Sequence, residues 1–269
     1  MEKKIKRAGV IGAGVMGATI AAQLANVGIE TFLLDIVPPE MTEDDKKKGL
    51  TKESKAFRDK FSQNGLNIAL KSKPASFYIP ENAKLITVGN LEDNLEWLSD
   101  VDWIIEVVVE RLDIKKIVFE KIETVLRPGT IITSNTSGIS AKAMCEDRSE
   151  NFRKHFAITH FFNPPRYMKL LEIIPNPDTL PDVIETLADR CEKVLGKGVV
   201  YAKDTPNFVA NRIGTYHMFC VVNAMVDMGL TIEAVDKLTG PVIGNAKSAS
   251  FRTADLVGLD TLLHVAGSW

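Results

Sequence analysis

The stretch VIGAGVMGATIAAQLANVG, residues 10–28, constrains the fold more than any other part of this 269-residue chain. Gly12, Gly14 and Gly17 stand in G-x-G-x-x-G spacing between an apolar strand, Lys6–Ile11, and an amphipathic helix, Val15–Asn26, closed by Gly28. A second short strand, Thr31–Leu34, delivers Asp35 at its end. Strand, glycine turn, helix and strand make a βαβ unit. In such a unit the first glycine makes the turn, the second lets the backbone approach a pyrophosphate, and the third lets helix pack on strand. The free N–H groups of the first helical turn, at Val15, Met16 and Gly17, add the partial positive charge of a helix end. The spacing alone is weak, since glycine is common and a methyltransferase can use a similar loop. Its frame predicts a dinucleotide. Asp35, 18 residues past Gly17, is placed to bind the adenosine ribose and repels a 2′-phosphate, so NAD is expected over NADP.

The N-terminus also carries a basic head and an apolar body, as a secretory signal does. Glycines at nucleotide-loop spacing break that apolar run, so it reads as the first strand and helix. No other stretch reaches the ~20 apolar residues of a membrane span. A net charge of −2 gives no reason to expect nucleic acid or an acidic membrane surface as a partner. Cys145, Cys191 and Cys220 are odd in number and widely spaced. They suggest no metal site and no disulfide framework, and predict a reducing, cytoplasmic setting.

Residues 37–82 are charged, lysine-rich and helical in pattern, with breaks at Gly49 and Gly65. The segment is too long for a loop and predicts a helical arm leaving the sheet after its second strand. Strands then resume at Leu85–Val88, at VDWIIEVVVE with Glu110 at its end, and at Thr130–Thr133 before SNTSGIS; a helix is expected over Lys115–Leu126. A hairpin, Ala157–Phe162 with Leu170–Ile174, a helix over Pro181–Leu195 and a last strand, Gly198–Ala202, complete the alternation. From Asn207 the pattern is helical: Phe208–Met228, Ile232–Thr239 and a piece near Ala254–Val265. The expected fold is α/β: a Rossmann-type doubly wound sheet over 1–203 with a helical insert, then a smaller all-α domain over 204–269.

Ligands of such sheets bind beyond the carboxyl ends of the strands. Those ends deliver Gly12, Asp35, Glu110, Ser134–Ser137 and His160. A hairpin centred near Arg166 pairs residues whose numbers sum to 332, which puts His160 opposite Glu172 with Cβ atoms about 5 Å apart. A lone strand histidine is most often a satisfied core group. Glu110 could equally be a helix-cap acid, and Ser137 a cap for the turn at Gly138–Ala141. Beside a nicotinamide site, however, a glutamate on one ring nitrogen makes the other a base suited to take a proton from an alcohol.

HFFNP followed by LLEIIP, with SNTS, VVVER, KDTPNFVANR and VGLDT, resembles the L-3-hydroxyacyl-CoA dehydrogenase family over essentially the whole chain. The insert and GPVIGNAKSASFRTADLVGLDT look most like its long, two-activity members, in which an enoyl-CoA hydratase module follows. The resemblance implies NAD-dependent oxidation of a 3-hydroxyacyl-CoA in fatty acid β-oxidation. It implies His160 as general base and Glu172 as its partner. Ser137 and Asn211 would sit on the reacting oxygen or hold the histidine, with Asn163 in support. Glu110 and Lys115 would lie by the nicotinamide end, and Lys71 and Lys73 are candidates for the CoA phosphates. The family's helical domain normally runs past the equivalent of Trp269 and makes a homodimer, so the chain is expected to be truncated. Two other readings stay open: a β-hydroxyacid dehydrogenase of small free acids, and an NAD-binding fragment without turnover.

Overall fold

The computed structural model describes residues 4–259, and its contacts divide into two compact units, Met1–Asp204 and Thr205–Trp269. The first unit holds one sheet of eight strands: β1 Arg7–Ile11, β2 Glu30–Asp35, β3 Ile86–Asn90, β4 Trp103–Glu106, β5 Ile131–Ser134, β6 Phe156–Phe161, β7 Leu170–Pro175 and β8 Gly198–Tyr201. Their order is β3-β2-β1-β4-β5-β6-β7-β8, and every pairing is parallel except β6–β7. The chain steps outward from β1 to β3 and then crosses back to β4. The crevice for a ligand therefore opens at the ends of β1 and β4, where the connections diverge. β4, β5 and β6 are buried along their whole length, which is why they read as unbroken apolar runs.

Helices α1 Val15–Asn26, α5 Leu112–Val125, α6 Ala141–Cys145, α7 Glu150–Lys154 and α8 Pro181–Lys193 connect these strands. Residues 17–25 of α1 are all buried, so the helix is enclosed and not amphipathic as expected. Its cover comes from the insert, which forms α2 Glu43–Lys47, α3 Lys55–Arg58, α4 Lys60–Lys71 and a 3₁₀ turn, Pro80–Leu85. The insert folds back on the sheet. Lys60 pairs with the buried Asp45 at 2.6 Å, Asn90 at the end of β3 donates to Asp59 at 2.7 Å, and Arg58 holds Asp93 at 2.6 Å. Gly49, at φ 70°, does end α2. Gly65, expected as a break, lies inside α4. A Cβ there would strike the Ala13 carbonyl oxygen, so this glycine is the point where α4 presses on the glycine loop.

Three other expectations shift. The run 101–110 is strand only to Glu106; Val107 N still donates to Ile11 O at 2.7 Å, and the chain then turns across the glycine loop. In the second unit α9 spans Ala210–Met228, because Asn207 and Phe208 have φ of 60° and 48°, outside the helical region. α10 is Ile232–Leu238 and α11 is Phe251–Val257, joined by Asp236, whose carboxylate accepts from Phe251 N at 2.7 Å and Arg252 N at 3.1 Å. Residues 260–265 of the last expected helix lie outside the described residues.

Candidate active site

The three glycines differ in what surrounds them. Gly12 has φ 100°, and a Cβ on it would stand 2.5 Å from Val107 O. On Gly17 a Cβ would overlap the Gly12 carbonyl oxygen. Nothing lies within 4 Å of the corresponding point on Gly14. Two glycines therefore let the loop close on itself and on the β4 end, while the third keeps open space above the N-terminus of α1. The N–H groups of Val15, Met16 and Gly17 precede the first i→i−4 bond, Ala18 N to Gly14 O at 2.9 Å, and are left for an anion. Small space, open N–H groups and a helix dipole fit a pyrophosphate.

Asp35 closes β2 beside this loop. Its carboxylate accepts from Ala13 N and Ile36 N, each at 2.7 Å. Burial pushes this carboxyl above the usual carboxylate range, against the pull of those two N–H groups.

Across the hairpin, His160 faces Glu172 in the β6–β7 register, with Nδ1 2.7 Å from Glu172 Oε2. The glutamate is fully buried and the histidine nearly so. An ionised carboxylate accepts only, so Nδ1 carries the hydrogen and Nε2 keeps its lone pair. Ser137 Oγ lies 3.1 Å from Nε2 and donates to it. Phe162 packs against the imidazole at 4.5 Å between ring centres.

Glu110 neither caps α5 nor lies free. Its Oε1 accepts from Thr136 Oγ1, from Ser137 N at 3.0 Å and from Gly138 N at 3.2 Å, so it shapes the loop that presents Ser137. The cap of α6 is Ser140, whose hydroxyl accepts from Ala143 N, and not Ser137. Lys115, almost fully buried, bonds the fully buried Glu106 at 2.8 Å and reaches Glu110 at 3.5 Å. Burial raises the Glu106 carboxyl above its ordinary value, and the Lys115 charge opposes the rise. Sequence reasoning passed over Glu106. A lone acid inside the run DWIIEVVV was the available signal, because an unpaired carboxylate cannot stay in such a strand.

The remaining candidates are described by their own elements. Asn163 is exposed beyond the end of β6, and Lys71 and Lys73 are exposed at and after the end of α4. Asn211 lies in the first turn of α9 in the second unit, where its carbonyl accepts from Thr215 Oγ1 at 2.8 Å. No helix among the described residues is long and apolar enough to cross a membrane.

Fold and site together define a dinucleotide-binding Rossmann protein with a histidine–glutamate pair at its strand ends. Residues 7–205 match the family model for the NAD binding domain of 3-hydroxyacyl-CoA dehydrogenase, and the chain belongs to that family, with NAD as its cofactor. It is 54% identical over 266 residues to a probable 3-hydroxyacyl-CoA dehydrogenase of Bacillus subtilis, covering 99% of this chain but 34% of that protein. It is 51% identical to a protein of the same description from Deinococcus radiodurans, covering 98% of this chain and 72% of the relative. Among solved structures it resembles the (S)-3-hydroxybutyryl-CoA dehydrogenase of Ralstonia eutropha, with TM-score 0.74 and 25% identity over 98% of this chain and 87% of that one. The chain thus spans about a third of the Bacillus relative's length.

Proposed function

We propose that this chain oxidises the 3-hydroxyl of an (S)-3-hydroxyacyl-CoA to the 3-ketone in fatty acid β-oxidation. The observation that carries this reading is the run Ser137–His160–Glu172, with contacts of 3.1 and 2.7 Å. NAD, bound over the glycine loop, supplies the hydride acceptor. His160 Nε2 takes the hydroxyl proton, and Glu172 keeps the hydrogen on Nδ1 and stabilises the imidazolium that forms. Ser137, now hydrogen-bonded to Nε2, marks where the substrate hydroxyl binds and turns its own hydroxyl to the reacting oxygen. Asn211 is assigned beside that oxygen, with Asn163 in support, on the family motifs alone. Gly12, Gly14, Val15, Met16 and Gly17 hold the pyrophosphate, Asp35 the ribose, and Glu110 and Lys115 border the nicotinamide end. Lys71 and Lys73, exposed beside α4, are assigned to the CoA phosphates.

On the same reading, residues 1–203 form the cofactor domain and 204–269 part of a helical substrate and dimerisation domain. Exposed apolar side chains such as Val226, Met228 and Leu256 support a homodimer through that part. The length of the Bacillus relative supports a place in a longer protein, with a hydratase module downstream. Free cysteines suit the cytoplasm.

The test is NADH absorbance while acetoacetyl-CoA is added to the chain. Oxidation by the wild type and none by His160→Gln is expected. Faster turnover of a small free 3-keto acid would favour a β-hydroxyacid dehydrogenase instead. NADH binding with no oxidation of either substrate would leave a binding protein.

A further inference from the structure

We propose that Glu106 is a positioning residue that sets Ser137 against His160; this rests on the reading of the site given above. Glu106 ends β4 with its carboxylate wholly buried, and the oxidation assigns it no task. Two routes lead from it to Ser137. Along the first, Ser134 Oγ donates to Glu106 Oε2 at 2.6 Å and itself accepts from Thr136 N at 3.2 Å. The backbone oxygen of Glu106 also accepts from Asn135 N at 2.8 Å. Three successive residues before Ser137 therefore hang from this glutamate. Along the second, the Lys115 ammonium lies 2.8 and 3.0 Å from the two Glu106 oxygens and 3.5 Å from Glu110 Oε2. Glu110 in turn holds Ser137 N and Gly138 N.

One buried cation is thus shared by two carboxylates, with Glu106 holding it more tightly. Any loss of charge at Glu106 releases Lys115 toward Glu110 Oε2 and draws on the carboxylate whose other oxygen, Oε1, holds the two N–H groups that shape the serine loop. A glutamine in place of Glu106 cannot restore the balance. Its NH₂ stands either at the Oε1 position, against Val108 N and the Lys115 ammonium, which only donate, or at the Oε2 position, against Lys115 and the Ser134 hydroxyl, whose hydrogen then loses its acceptor. Either orientation moves the segment 134–138, and a displacement near 1 Å at a reacting group can cost roughly 10²-fold in rate.

A double-mutant cycle tests this, using Glu106→Gln and Ser137→Ala singly and together, with kcat, NAD affinity and the ¹⁵N shift of His160 Nε2 as readouts. Glu106→Gln is expected to lower kcat roughly 10–100-fold, to leave NAD affinity within about twofold, and to move the Nε2 resonance. In the Ser137→Ala background it is expected to add no further loss, since residues acting through one another are not additive. The same loss in both backgrounds, or an unmoved resonance, overturns the proposal and leaves Glu106 a core group. Should Glu106→Gln not fold, Ser134→Ala cuts the first route alone and keeps the buried pair; unchanged kcat and Nε2 shift would then overturn the proposal. If the wild type turns over no acyl-CoA, the functional reading fails, while the Nε2 shift still decides whether Glu106 sets Ser137.

Discussion

Arg166, in the turn between β6 and β7, lies over the ring of Tyr78 in the insert, 4.9 Å from its centre. Its Nη1 donates to Ala75 O at 2.8 Å and Phe77 O at 2.6 Å, and Tyr167 Oη donates to Ala75 O at 3.0 Å. From the other side Asn26, at the end of α1, donates to Ser76 O at 2.8 Å and accepts from Tyr78 N at 2.8 Å. The far end of the insert is therefore fastened both to α1 and to the hairpin that carries His160 and Glu172. Arg166→Ala is expected to lower stability by about 1–3 kcal/mol, read as a shift of the urea midpoint. Lysine should recover part of it, since an ammonium can donate to a carbonyl but does not stack as a planar guanidinium does.

The two loop glycines should separate folding from cofactor binding. Gly17→Ala forces a methyl into the Gly12 carbonyl and should destabilise the chain by at least ~2 kcal/mol. Gly14→Ala places its methyl in open space. Its melting temperature should match the wild type, while NAD binding weakens at least about tenfold because the methyl occupies the pyrophosphate approach. Thermal melts with titration calorimetry check both.

Glu172→Gln tests the partner without touching the base. An amide can donate to Nδ1 and favour the wrong tautomer, with the hydrogen on Nε2. A fall in kcat of roughly 10²–10⁴-fold with NADH affinity unchanged is expected from stopped-flow and binding measurements.

Lys115→Met strands a buried carboxylate and is expected to cost about 3–5 kcal/mol in denaturant unfolding. Combining it with Glu106→Gln should recover much of that loss, because the charge left behind has been removed as well.

Asp45 supplies a pH signature. Hydrogen bonds from Lys60 and Thr42 hold its carboxyl down at about 2, against an ordinary 3.8. A depressed carboxyl binds fewer protons folded than unfolded, so its contribution is fully present above 3.8 and fades as pH falls through about 2. Lys60→Met should flatten stability against pH in that interval, as acid titration of the melting temperature would show.

Much of this architecture was open to inspection in the chain itself. The glycine loop and Asp35 were readable because each residue answers a local steric or electrostatic demand. The hairpin pairing was readable because two short runs around one turn admit few registers, and the observed pairs sum to the expected 332, as His160 and Glu172 do. Where β4 stops was hidden. Val107, Val108 and Val109 are as apolar as the strand before them, yet the backbone of Val107 and Val108 lies against Gly12, and hydropathy does not record where a ladder ends. Gly65 misled for a related reason: glycine weakens a helix locally, but here a tertiary contact requires it. Glu106 and its pair with Lys115 depend on two distant elements meeting, which no local pattern displays.

The register of β6 on β7 separates two properties that most loops confound. Eleven residues lie between His160 and Glu172 in the chain, but the distance between their side chains is set by the ladder and not by that number. The connection 162–169 can lengthen or shorten while the pair stays in contact, provided the strands keep their alignment and Phe162, Arg166 and Tyr167 keep their contacts. A slip of one residue, by contrast, would set His160 across from Leu171 or Ile173 and turn the glutamate to the opposite face. Lineages descending from such a fold can thus vary the turn where it carries no contact of its own, while any change that loosens the strand alignment parts the histidine from its glutamate outright.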